Sequence, residues 1–196
     1  MQFKISGKDP VSKVLWPEES VYKATGGFTL DKTNLKEGAD FLDKGAVMNV
    51  NFATRIAKVV KTAVVNTNAT SSATAILVNK MHQLKVGDYI GKTVGGAAYA
   101  ISAIDTTNAA YDTVTVATTL GVALTAGDVL FQSSATGAAA AAESNVANSI
   151  LLHDTALEEV TTLNVGLQIY EIQEANLPYG VTTANKVSLT SRFQFV

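Results

Sequence analysis

Apolar and polar positions alternate most cleanly in "YDTVTVA", where Val114 and Val116 face one way and Thr113 and Thr115 the other. That period of two is what a half-buried strand requires. The stretch belongs to a set of short strands expected near 74–78, 88–94, 98–104, 112–117 and 129–132, separated by Gly-Gly, Thr-Thr-Asn and Gly-Asp turns. Short strands closely spaced between turn residues predict a small closed β-barrel. Two of its segments are near copies, "LKVGDYI" from Leu84 and "LTAGDVL" from Leu124. In each, glycine reaches positive φ freely and aspartate bonds the following backbone N–H groups, giving a turn that feeds a strand. Gly87, Asp88, Gly127 and Asp128 are therefore expected as structural turn residues. A phosphate-binding loop would need several glycines leading into a helix N-terminus, and neither copy has them.

On the N-terminal side of the barrel, "GAVMNVNFATRIAKVVKTAVV" is Val-rich, with Asn49, Asn51 and Thr54 placed to turn the chain between two strands. Residues 66–75, "NTNATSSATA", are small and polar, as in a linker or exposed loop. After the barrel, "SSATGAAAAAESNVANS" reads as a short helix or a flexible return segment. Strands resume in "SILLHD", "NVGLQIYEIQ" and "KVSLTSRFQFV". In the last of these, Val187, Leu189, Phe193 and Phe195 alternate with Ser188, Thr190, Arg192 and Gln194, predicting a terminal strand tied into a sheet.

The first part of the chain has no such rhythm. Pro10 and Pro17 fix φ and remove donors, and the only tryptophan, Trp16, sits between them. An extended arm is expected here, with two destinations open for Trp16: its own domain, or a pocket on a partner. The predicted architecture is mainly β: an arm over 1–45, a discontinuous β-sheet base over 46–66 and 145–196, and an inserted small β-barrel over 67–140.

Composition narrows the function classes. Of 196 residues 47% are hydrophobic and only 16% charged, so the chain can bury a real core beneath a bland surface. A net charge of −2 lacks the basic face of a nucleic-acid binder. Ten of the fifteen Lys and Arg residues lie in 1–61 against seven acids, which makes the first third mildly basic and the rest acidic; solvated faces explain this adequately. The absence of cysteine excludes disulfides and thiolate metal sites. No apolar run reaches membrane-spanning length, and the opening "MQFKISGKDPVSKVLW" lacks the apolar core of a signal peptide, so we expect synthesis in the cytoplasm without export.

Candidate chemistry is sparse. His82 and His153 are too few and too far apart for a helical metal pair, and no metal or cofactor is expected. His153 precedes Asp154 directly, and neighbours on a strand point to opposite faces, which argues against an orienting hydrogen bond. Glu158 with Glu159, or Glu171 with Glu174, lack the aromatic subsites of a glycosidase and read as solvated charges. No nucleophile elbow, dinucleotide fingerprint or phosphate loop occurs, so an enzyme is not expected.

The run "VYKATGGFTL…KGAVMNVNFATRIAKVVKTAVV", then "ANSILLHDT", then "VGLQIYEIQEANLPYGVTTANKVSLTSRFQFV" resembles head decoration proteins of tailed bacteriophages. It is most similar to the head fibre or auxiliary capsid proteins of phages of Bacteroidetes, including crAss-like phages. The resemblance implies a virion structural protein, made in the host cytoplasm, that binds the major capsid protein on the outer face of the head. It implies a projecting barrel and no catalytic machinery. Trimers are common in such families, and the resemblance leaves a homo-oligomer open. In this frame the capsid attachment would use Trp16 as apolar anchor, with Lys4, Lys8, Lys13 and Lys23 facing acidic groups. The alternative is a surface adhesin or a receptor- or glycan-binding fibre component, which calls for an aromatic-lined groove; the barrel offers Tyr89, Tyr99, Tyr111 and Phe131.

Overall fold

The computed structural model describes residues 13–157 and 161–196; Lys4, Lys8, Glu158 and Glu159 lie outside them. The protein is mainly β. It begins with three short strands, β1 (Tyr22–Lys23), β2 (Phe28–Leu30) and β3 (Phe41–Leu42), and a hairpin of β4 (Val47–Asn51) and β5 (Ile56–Val59). A second unit holds β6 (Thr62–Val64), β7 (Ala75–Asn79), β8 (Tyr89–Gly91), β9 (Ala98–Asp105), β10 (Tyr111–Val116) and β11 (Val129–Ser133). The chain then returns to the base through β12 (Ser149–Leu151), β13 (Thr155–Ala156), β14 (Thr162–Leu163), β15 (Val165–Ile172), a helix α1 (Thr183–Leu189) and β16 (Phe193–Phe195).

The base sheet runs β1-β15-β12-β4-β5-β2-β14, with β16 parallel to β15, and β3 pairs with β13 beside it. Only Asn164 separates β14 from β15 in the chain, although the two stand near opposite ends of that order. The sheet therefore curls round, enclosing Phe28, Leu42, Met48, Leu151 and Leu163. A second apolar cluster gathers Trp16, Ile150, Ile169, Leu189 and Phe193.

These pairings revise the expected arm. From Lys13 onward its residues belong to the base: β1 pairs with β15, and β2 lies between β5 and β14. Trp16 is 2% exposed, with the Lys44 ammonium 4.7 Å from its ring centroid. Strands of two or three residues are too short to leave a period of two in the sequence, which is why this region reads as unstructured.

The second unit is one sheet, ordered β6-β11-β8-β9-β10-β7. Its edge strands meet at a single bridge, Val65 to Val78, where the Asn66 N–H donates to the Leu77 carbonyl at 2.8 Å. Beyond that bridge the polar loop 66–74 leads the chain away, so the sheet curls without closing into a barrel. Val114 and Val116 face its core together with Ile76, Ile90 and Leu130. The strand β6 pairs with β11, which puts the start of this unit near Thr62, ahead of the expected 67.

Two further expectations change. The alanine stretch is neither helix nor loose return. Gly137 exchanges backbone hydrogen bonds with Ala98, and Ala141 does so with Gly95 and Gly96. A Cβ at Gly91 would stand 3.1 Å from the Ala141 Cβ, so only small side chains fit this close approach. The expected terminal strand is mostly helix, because Thr182 and Asn185 form a reciprocal capping box that starts α1. Residues two apart on a helix point in nearly opposite directions, and accordingly Val187 is exposed while Leu189 is buried. Only Phe193–Phe195 remains as strand.

Candidate functional site

The base presents a preformed tip at the end of the β4–β5 hairpin. All of Asn51 to Ile56 is exposed, including Phe52 at 51% and Ile56 at 43%. The turn is held from within: the Asn51 carboxamide oxygen accepts the N–H groups of Ala53 (2.9 Å) and Thr54 (3.0 Å), and the Asn51 carbonyl accepts that of Arg55 (2.9 Å). Arg55 takes a left-handed φ of 58°. Its guanidinium donates to the Thr25 carbonyl at 3.0 Å and lies 5.0 Å from the Phe28 ring centroid. Phe52 packs edge-on against the same ring, 5.6 Å between centroids. Because β5 leads away from this tip through Val60 and Lys61 into β6, the tip sits at the end of the hairpin opposite the second unit. Asn51 and Thr54 were legible as a turn; the exposure of Phe52 and Ile56 was not, since apolar residues beside a turn ordinarily mark its core face.

A groove of about 760 Å³ runs between the second unit and the base, lined by Val94, Val129, Phe131, Val181, Thr183 and Val187 among others. Its charges are paired across short distances, Lys92 with Asp128 at 2.7 Å and Lys186 with Glu174 at 2.5 Å. Burial pushes the Glu143 carboxyl above its usual range, against the opposing hydrogen bond from the Asn185 amide. The single aromatic lining this groove, Phe131, is buried in the second unit, so the groove lacks the exposed aromatic platform of a glycan site. The base and the second unit also touch directly. The Thr62 hydroxyl donates to the Gly180 carbonyl at 2.7 Å, and a Cβ on Gly180 would fall 2.6 Å from a Val129 methyl.

The two Gly-Asp turns have the same construction. Gly87 and Gly127 have φ of 90° and 94°. Each aspartate reaches back three residues instead of forward, Asp88 accepting the Lys85 N–H at 2.9 Å and Asp128 the Thr125 N–H at 2.7 Å. Each also meets a lysine at 2.7 Å, Lys61 for Asp88 and Lys92 for Asp128. The first pair is buried and the second half-exposed. Burial lowers the Lys61 ammonium's pKa, with Asp88 opposing. The hydrogen bond from Lys92 and that from the Thr125 N–H hold Asp128 below the usual carboxylate range.

Of the lysines expected to attach the protein, Lys13 and Lys23 are exposed, while Trp16 is packed inside its own base. The structure thus corrects Trp16 as an anchor offered to a partner. His153 is exposed, and Asp154 accepts the Lys44 N–H at 2.6 Å rather than orienting it. Glu174 is paired with Lys186, and Glu171 is an exposed residue with φ 56°. Among the described residues no three His, Asp or Glu side chains converge on a metal position, and no helix is long and apolar enough to cross a membrane. Comparison with family models, with curated proteins and with solved structures finds no match.

Proposed function

We propose that this chain is a structural protein of a tailed-phage virion that decorates the outer surface of the head. The observation that carries this reading is the rigid, exposed tip of Phe52, Arg55 and Ile56 on the hairpin end opposite the second unit. Aromatic and arginine side chains dominate binding energy at interfaces, and a turn already locked by its own hydrogen bonds loses little entropy on docking. The base would rest on the major capsid protein through this tip, and the second sheet, curled toward a barrel, would project outward. The segments that resemble decoration proteins supply the base strands β1, β2, β4, β5, β12, β15 and β16.

Mass spectrometry of purified virions tests the reading. The protein should be present at many copies, in a fixed ratio to the major capsid protein, and its absence from particles would overturn the proposal. Heads lacking this protein should rebind the parent, while a Phe52→Ser/Ile56→Ser variant should bind roughly thirtyfold more weakly, as expected when a hot spot of about 2 kcal/mol is lost. Unchanged rebinding would move the attachment elsewhere on the base.

A further inference from the structure

The segment between β7 and β8 straps the second unit onto the base. The Lys85 ammonium donates to the Thr33 carbonyl at 2.7 Å. Beside it the Gln83 amide approaches the Tyr179 hydroxyl at 3.5 Å, and that hydroxyl donates to Asp43 at 3.1 Å. His82 lies at the centre of this strap, buried, between two adjoining cavities of about 290 and 240 Å³. Both ring nitrogens are committed. Nδ1 accepts the Leu84 N–H at 3.2 Å, which fixes the proton on Nε2, and Nε2–H donates to Asp112 at 3.1 Å.

We infer that His82 is an acid-released latch: protonation at Nδ1 sets two donors face to face, breaks the Leu84 hydrogen bond and loosens the strap from the base. The groups around the ring favour the neutral form. Asp112 on β10 already receives Lys80 at 2.6 Å, so its charge is shared before the imidazole titrates. Lys36 and Glu37 from the base loop and Lys85 from the strap face the first cavity, while Lys36, Lys80, Asp40 and Asp43 border the second with Tyr179. Burial, then the charge of Lys36, lower the pKa of His82 from its ordinary 6.5, with Asp112 opposing. The sign follows. Below about pH 6.5 the unfolded or released segment takes up a proton that the latched one refuses, so the latch is fully closed above that value and weakens as pH falls, by up to about tenfold in its closing equilibrium per pH unit. His82 would act in this way whether or not the protein belongs to a virion.

Hydrogen exchange and NMR titration of the full chain between pH 7.5 and 4.5 test it, with intrinsic exchange rates corrected for pH. Protection of the Leu84 amide, and of residues 80–86 and 36–43, should fall as the His82 ring titrates with a midpoint below 6.5. In His82→Gln, whose amide keeps an acceptor and a donor but carries no titrating charge, that fall should vanish; in His153→Gln it should persist. Protection that stays constant through the His82 titration, or an equal fall in His82→Gln, would overturn the latch. Should His82→Gln not fold, a His82 midpoint above 6.5 in the parent would overturn it equally.

Discussion

Lys61 and Asp88 meet at 2.7 Å with almost no solvent on either side chain, joining the chain that leaves the base to the first Gly-Asp turn. Asp88 also accepts the Gln132 amide at 2.8 Å, and the Gln132 N–H donates to the Lys61 carbonyl at 3.0 Å, so the pair brackets β11. Removing one member leaves the other charge buried. Asp88→Ala or Lys61→Met should each lower stability by about 3–5 kcal/mol. The equivalent cut at the half-exposed pair, Lys92→Met, should cost only about 0–1 kcal/mol. Urea unfolding midpoints of the three variants check the contrast, and equal losses would refute it.

Gly87 and Gly127 offer a cleaner comparison. A Cβ at either position would meet nothing within 4 Å, so a methyl group has room and the penalty is that of backbone conformation alone. Gly87→Ala and Gly127→Ala should each destabilise by about 1–2 kcal/mol, and by similar amounts. A large difference between them would mean that the turns are not equivalent.

Trp16→Ala should behave as a core truncation. The indole is packed with Ile150, Ile169 and Phe193, and its removal should cost about 3–5 kcal/mol, read as a lower melting temperature. Capsid binding per folded molecule should be unchanged. Preserved stability with lost binding would restore Trp16 as an anchor.

The second unit should be removable only at the right seam. Deleting 67–140 leaves β6 without its partner β11, with Val64 still beside Gly180. A deletion from Lys61 to Ser144, closed by a short Gly/Ser linker, removes the whole sheet and should retain a cooperative melt, whereas the shorter deletion should melt broadly. Circular dichroism on heating separates the two outcomes.

The sequence was most readable where strands are long and half-buried. In β10 the order of burial follows the Val/Thr alternation, and the expected span of β9 differs by a residue. It was least readable where elements are short or where local capping wins. Val187 and Leu189 fit a strand period, but the Thr182–Asn185 box commits those residues to a helix before the period can act. Trp16 gave no rhythm because it enters the core from an irregular segment. Of the proposed attachment surface, the Asn51 turn was visible and its exposed Phe52 was not, since that depends on where β2 and Phe28 come to lie.

The continuity of β5 into β6 has a mechanical consequence. A force applied to the second unit along the axis of β5 passes in part through Val60 to a strand held between β4 and β2. The four residue pairs from Met48–Val59 to Asn51–Ile56 then bear the load together in shear, instead of opening one after another. Tension on the second unit along that axis is thus met by four residue pairs at once, more firmly than the short strands of the base would suggest.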